Sequence, residues 1–465
     1  MRKFYLFAAA AVLLTACVKT QNLDEVATIG TDESAVSFDV YTARATKAGK
    51  PQEITTAKLQ NGSGFGVFAY YTDNSKYDQY VKPNFMYNQQ VRWNKTDEVW
   101  AYEPVKYWPN ETGDAAVSDD KDYVTFFAYA PYVKAEPSTG AVIHPDNLPT
   151  GVEWKEEVEQ HRNITGLINN STTGDPKIKY IVDWNPATSV DLLWGVQSSG
   201  DQIGMPFLNQ LKPKTAGKTS FSLKHALAKL NVQIDAVVDA VTPTESRLLA
   251  DGTKIYVRSI TFEGFAAKGT LNLNNAVKDT PLWIDYAGID ALVAEPVTIY
   301  DGRKDGKEGY LDGEAAREKV LGLNPVIVQS VPYGNANETA GVTNNAVNLF
   351  VPIAPTTGPV SATDPIFVIP NGDPMKVTIV YDVETKDEKL AGYLSDGVTH
   401  GSTIENTITK AIKVSNASDA ANVVMNAGRA YTITLHLGMT SVKVEASVNG
   451  WTDGNNVAVD TPANS

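Results

Sequence analysis

The sequence predicts an all-β protein of β-sandwich architecture with few short helices. Short runs dense in aromatic and β-branched residues recur along the chain, and such residues suit a pleated, half-buried surface. Turn-forming residues separate those runs in a chain that holds 34 glycines and 24 prolines. A convincing helical pattern is confined to residues 313–321. Many strands with almost no helix read as a sandwich. The 465 residues leave room for about two to three domains at roughly 150 residues each. A boundary near residue 215 divides the chain into two lobes, 45–215 and 216–465.

The order of elements begins with an export signal. Arg2 and Lys3 precede an apolar run, 4–14, that is too short to span a bilayer as a helix. Leu14-Thr15-Ala16-Cys17 follows, a small-residue cleavage site that ends on the chain's one cysteine. It resembles the bacterial lipobox, which implies cleavage after residue 16 and lipidation of Cys17. A group with two or more acyl chains anchors stably, whereas one chain is marginal. A lone cysteine also excludes an intramolecular disulfide framework and Cys-rich metal sites.

Residues 17–44 read as a tether that carries one strand. Val36, Phe38 and Val40 alternate with Ser37, Asp39 and Tyr41, a half-buried strand pattern. Small and basic residues, 44–51, then break it. Strand-like runs follow at 64–71, 86–93, 99–108 and 123–129. Trp93, Trp100 and Trp108 cluster there, either as a platform for sugar rings or as the core of a sandwich. Residues 135–215 are loop-rich around a short apolar stretch at 191–196. Residues 219–234 mix a brief helical spacing with flanking alternation. Short strands resume at 254–262, 269–273, 349–353, 366–369, 376–381, 431–437 and 441–448.

Few motifs carry chemistry. Gly217-Lys218-Thr219 lacks the earlier glycine of a phosphate loop, since Lys212 stands there. Asn61 occupies the first glycine position of a nucleophile elbow at 61–64. His144, His161, His225, His400 and His436 share no metal-ligand spacing. Residues 301–312 partly match a calcium loop, but Arg303 puts a cation where a ligand oxygen is needed. The 54 acidic residues single out no catalytic pair. The reading is therefore no enzyme, no cofactor and no metal. A pI near 4.9 argues against nucleic acid as partner, because phosphate binding needs a basic face. The net charge of −14 favours solubility at high local density.

Several blocks together resemble the fimbrillin family of Bacteroidetes type V pili, the FimA-like and Mfa-like lipoproteins. They are GFGVFAYYT at 64–72, MYN at 86–88 with VRW at 91–93, PVKYWPN at 104–110 and FFAYAPY at 126–132. FSLKHALAKLNV at 221–232, AGRAYTITL at 427–435 and VNGW at 448–451 complete the series.

The resemblance implies two transthyretin-like β-sandwich domains. It implies export as an outer-membrane lipoprotein (signal peptide 1–16), trimming by an arginine-specific protease and polymerisation by strand exchange into an extracellular fimbrium. The matching cleavage position is Arg44 before Ala45, with Lys47 and Lys50 close by. Removing the strand before it would uncover a sheet edge and an apolar groove, a template for another chain's strand. Two C-terminal segments alternate suitably as donors: Val442, Val444, Ala446 and Val448, or Val457 and Val459. The implied partners are other fimbrial subunits, the outer membrane through the lipid, and a host or bacterial surface ligand. The alternative role is a glycan-binding surface lipoprotein or an adhesive tip subunit.

Overall fold

The computed structural model describes residues 35–42, 54–109, 121–143, 161–184, 186, 188–213, 218–238, 253–293, 295–301, 327–328, 330–332, 347–348, 365–393, 400–413, 422–438 and 442–450. Within them the chain is all-β, in several sheets, with a single six-residue helix.

The first part opens with β1 (Ser37–Thr42), helix α1 (Thr56–Asn61), β2 (Phe65–Asp73), β3 (Met86–Asn94), β4 (Val99–Ala101) and β5 (Tyr123–Ala130). It continues through β6 (Ile164–Leu167), β7 (Lys177–Ile181), β8 (Leu193–Gln197), β9 (Phe207–Gln210) and β10 (Lys218–His225). An eight-stranded sheet runs β1-β10-β8-β5-β2-β3-β4, with β9 on β5.

That sheet is buried on both faces, which explains its unbroken apolar strands. From β2, Phe65, Val67 and Ala69 enter one core with Val124, Phe126 and Ala128 of β5. Phe68, Tyr70, Phe127 and Tyr129 enter the other. Gly66 is required between them, since a Cβ there would run into the Tyr129 ring.

The second part holds β11 (Ala228–Val238), β12 (Thr253–Glu263), β13 (Phe265–Ala266), β14 (Lys268–Val277), β15 (Thr280–Ile284), β16 (Val297–Asp301), β17 (Ile327–Val328) and β18 (Ser330–Pro332). It ends with β19 (Val347–Asn348), β20 (Ile366–Pro370), β21 (Lys376–Lys386), β22 (Gly401–Ala411), β23 (Arg429–Leu437) and β24 (Val442–Gly450). A seven-stranded sheet runs β13-β20-β11-β23-β24, with β18 and β19 on β11. A five-stranded sheet runs β16-β12-β21-β22, with β17 on β12. Leu230, Val232, Ile433 and Leu435 from the seven-stranded sheet share a core with Ile260, Val377, Ile379 and Tyr381 from the five-stranded one.

Strands on either side of residue 215 share sheets. β10 pairs with β8 and β1, and β14 pairs with β7 in a four-stranded sheet β15-β14-β7-β6.

Several local expectations change. The strand expected over 99–108 stops at Ala101, because Pro104 has no N–H to give a ladder. No helix forms at the helical spacing of 225–230, where β10 passes directly to β11. The loop-rich stretch contains β6, β7, β8 and β9, each of four or five residues. The expected helix at 313–321, the strand at 349–353 and most of the loop at 301–312 lie outside the described residues.

Candidate functional site

The strand before Arg44 sits in a seat built by both edges of its own sheet. Val36, Phe38 and Val40 point inward and are buried, at 0%, 1% and 2% exposure. Ser37, Asp39 and Tyr41 face outward. On one side β1 runs parallel to β10, pairing Phe38 with Thr219 and Val40 with Phe221. On the other side Ala35 bridges antiparallel to Tyr107, and the Val36 N–H donates to the Lys106 carbonyl at 2.9 Å. The first residues of this segment thus close the gap between β10 and the chain that follows β4.

Phe38 is the centre of the packing. Its ring lies 5.4 Å from Tyr102, 5.9 Å from Phe126, 6.1 Å from Phe221 and 6.4 Å from Phe65. The Phe65 and Phe126 contacts are edge-to-face and the Phe221 contact is stacked, both favoured geometries for aromatic quadrupoles. The Tyr102 hydroxyl donates to the Val36 carbonyl at 2.7 Å and accepts from the Lys106 N–H at 3.3 Å. Burial raises the Tyr102 phenol above its ordinary range, so it stays a neutral donor. Burying three apolar side chains contributes about 1.5–3 kcal/mol each.

The strand's exit is also fixed. The Thr42 N–H donates to Thr56 Oγ1 at 3.2 Å, the Thr56 N–H donates to Thr42 Oγ1 at 2.9 Å, and the two hydroxyls lie 2.7 Å apart. Thr55 caps α1 by accepting the Lys58 N–H at 3.3 Å. The ends that flank residues 43–53 are therefore held together. Deeper in, Asp191 accepts from the Ile54 N–H at 3.3 Å and lies 2.8 Å from His225 Nδ1 at the end of β10.

Cys17, Arg44, Ala45, Val457 and Val459 lie outside the described residues. Val442, Val444, Ala446 and Val448 lie in β24, paired across β23 with Leu437, Leu435, Ile433 and Tyr431. Val442 and Ala446 are buried in the second core, and Val444 and Val448 pack against it.

Of the two readings of the tryptophan cluster, the structure selects the core. Trp100 and Trp108 are buried, and Trp93 packs edge-on against Trp100 at 5.3 Å. His161 is buried, with Nε2 3.3 Å from Ser63 Oγ, and His400 is held to the Leu390 carbonyl at 2.7 Å. His144 lies outside the described residues.

Sequence reasoning missed the walls of the seat, Tyr102 and Phe221, and the Thr42–Thr56 clasp. Alternation over β10 singles out Phe221 as inward-facing, since every second residue, Thr219, Phe221, Leu223 and His225, is buried. Nothing local in the sequence marks Tyr102 as the partner of Val36. The seat holds one extended strand, paired along β10 and with three apolar side chains buried.

No family model matches the chain. A curated relative, the fimbrium subunit Fim1C of Phocaeicola vulgatus, is 25% identical over 426 residues, spanning 90% of this chain and 89% of its own. Among solved structures, a fimbrial protein from Bacteroides vulgatus superposes with a TM-score of 0.47 at 21% identity, covering 90% of this chain and 99% of its own.

Proposed function

We propose, from the premise that this chain is a fimbrillin-family protein, that it is a structural subunit of a cell-surface fimbria of the type V pilus kind. In this reading it is exported as a lipoprotein through Cys17 and lies at the outer membrane as a lipidated precursor. It is trimmed after Arg44 and assembles with other fimbrial subunits by strand exchange. The assembled extracellular fibre supports adhesion to a host or bacterial surface.

One observation carries the reading. The strand directly before Arg44 is an edge strand whose inward side chains complete an aromatic core. Losing it would leave the β10 edge unpaired and a long apolar groove exposed, which a foreign strand can refill. The relationship to a fimbrium subunit over nine-tenths of the chain supports the same role.

Of the two donor segments, the reading favours Val457 and Val459. β24 already makes a nine-position ladder with β23 and buries Val442 and Ala446. Releasing it would unpair β23 and open the second core. A segment beyond Gly450 serves without that loss.

The test is N-terminal sequencing of surface-extracted protein, read beside an unheated, non-reducing gel. The expected result is an N-terminus at Ala45 in material that runs as a ladder. A chain that still begins at Cys17 and runs only as a monomer would overturn the proposal.

A further inference from the structure

Resting on that reading, we infer that the vacated seat selects a donor strand from a different subunit, one with a bulky aromatic residue between two smaller apolar ones. The three inward positions of β1 are not equivalent. Phe38 alone reaches the rings of Phe65, Tyr102, Phe126 and Phe221, all within 6.4 Å. Its pocket is walled by rigid rings from four separate segments, so it does not collapse around a smaller side chain. Val36 and Val40 flank it at the spacing of alternate strand residues and are equally buried. An incoming strand must therefore present apolar, bulky, apolar side chains at positions i, i+2 and i+4.

The chain's own C-terminal segments do not present that triad. Residues 442–448 offer Val442, Val444, Ala446 and Val448, and residues 457–459 offer Val457 and Val459. Trp451 is the single aromatic residue from 442 to the end of the sequence. Its neighbours at the same spacing are Asn449 and Asp453, polar groups that would be buried without partners in the Val36 and Val40 positions. A valine in the Phe38 pocket leaves a void, and large-to-small changes at buried sites weaken packing by the lost contacts plus the cavity. Residues 442–465 are thus mismatched to the seat of their own chain. The matched occupant is a strand from another subunit, so the chain serves as a junction between unlike subunits rather than as the repeating unit of a homopolymer.

Peptide exchange into the full chain tests this. A recognition sequence for a site-specific protease is placed after Arg44, and the folded protein is cut. Labelled peptides are then supplied: residues 34–43, the same peptide with Phe38→Val, residues 441–450 and residues 454–461. Incorporation is followed by fluorescence anisotropy and native gels. The expected result is uptake of the 34–43 peptide, with the Phe38→Val peptide and both C-terminal peptides at least about tenfold weaker. Uptake of a valine-centred or C-terminal peptide within about twofold of the 34–43 peptide overturns the selectivity while leaving strand exchange intact. Failure of every peptide, the 34–43 peptide included, overturns strand exchange itself and the selectivity with it.

Discussion

The Tyr102 hydroxyl donates to the Val36 carbonyl at 2.7 Å, which ties the entry of β1 to the loop that follows β4. Without that bond the Val36 carbonyl would be buried with no donor opposite it on this side. Tyr102→Phe keeps the ring against Phe38 and removes only the hydroxyl. It is expected to destabilise the protein by about 1–2 kcal/mol, seen as a lower urea midpoint at unchanged slope. It should also speed displacement of β1 by a 34–43 peptide from chain cut after Arg44. A midpoint equal to wild type would show that the hydroxyl holds nothing.

Parts of this site were legible in the sequence, and the reason is burial. β1 stands out because one face is buried and one is not, which leaves the period-two signature of Val36, Phe38 and Val40. β2 and β5 stand out as continuous apolar runs because both faces are buried. β22 escaped notice: its Ser402, Thr403, Thr407 and Thr409 lie along an edge strand that largely faces solvent, so no apolar alternation marks it. Helix α1 has six residues and buries only Leu59. The walls of the Phe38 pocket come from β2, β5, β10 and the loop after β4, and no local pattern encodes which rings will meet. The candidate cleavage site rested on resemblance, since basic residues in a linker carry no packing signature.

Arg258 is the extra residue at a bulge in β12, between Val257 and Ser259. The bulge aims its guanidinium at two carboxylates that face each other across β21 and β22, Asp382 and Glu405. Arg258 Nε donates to Asp382 Oδ2 at 3.0 Å, and Nη1 donates to Glu405. Two like charges directly opposite on paired strands repel, so the arginine makes the pairing possible. Arg258→Met is expected to cost about 3–5 kcal/mol, because it leaves the fully buried Asp382 without its cation. Adding Asp382→Leu to that variant should recover much of the loss. Equal unfolding midpoints for the single and double variants would contradict this account.

The buried tyrosines predict a one-sided pH dependence. Burial raises the phenols of Tyr70, Tyr102, Tyr129 and Tyr180, and pushes Tyr132 up to about 12. In the unfolded chain these groups ionise near the ordinary value of about 10. The folded state then keeps protons that the unfolded state has released, so the stabilisation is complete below about pH 10 and is lost as pH rises towards the folded values. Each such tyrosine should cost about 1 kcal/mol of stability between pH 10 and pH 11. Urea midpoints measured from pH 8 to pH 11.5 should be flat and then fall, with the phenolate absorbance of these five buried tyrosines appearing only as the protein unfolds. Phenolate absorbance from all tyrosines near pH 10 with the fold intact would contradict the burial argument.

Truncation separates the two candidate C-terminal donor segments. A chain ending at Gly450 keeps β24, its ladder to β23, and the buried Val442 and Ala446. It loses Val457 and Val459. If the donor lies beyond β24, the truncated protein should melt within about 1 °C of the full chain, a shift that corresponds to roughly 1 kcal/mol for a protein of this size. After cutting at Arg44 it should still accept a 34–43 peptide, since its own seat is untouched. It should nevertheless fail to occupy the seat of any other subunit, and so should cap fibres rather than extend them. If instead the truncated chain still donates a strand, β24 must leave β23 to do so. That exit would expose Leu435 and Ile433 and make backbone amides of β23 exchange with solvent. Hydrogen exchange across residues 429–437, compared between free and assembled protein, therefore decides between the two donors.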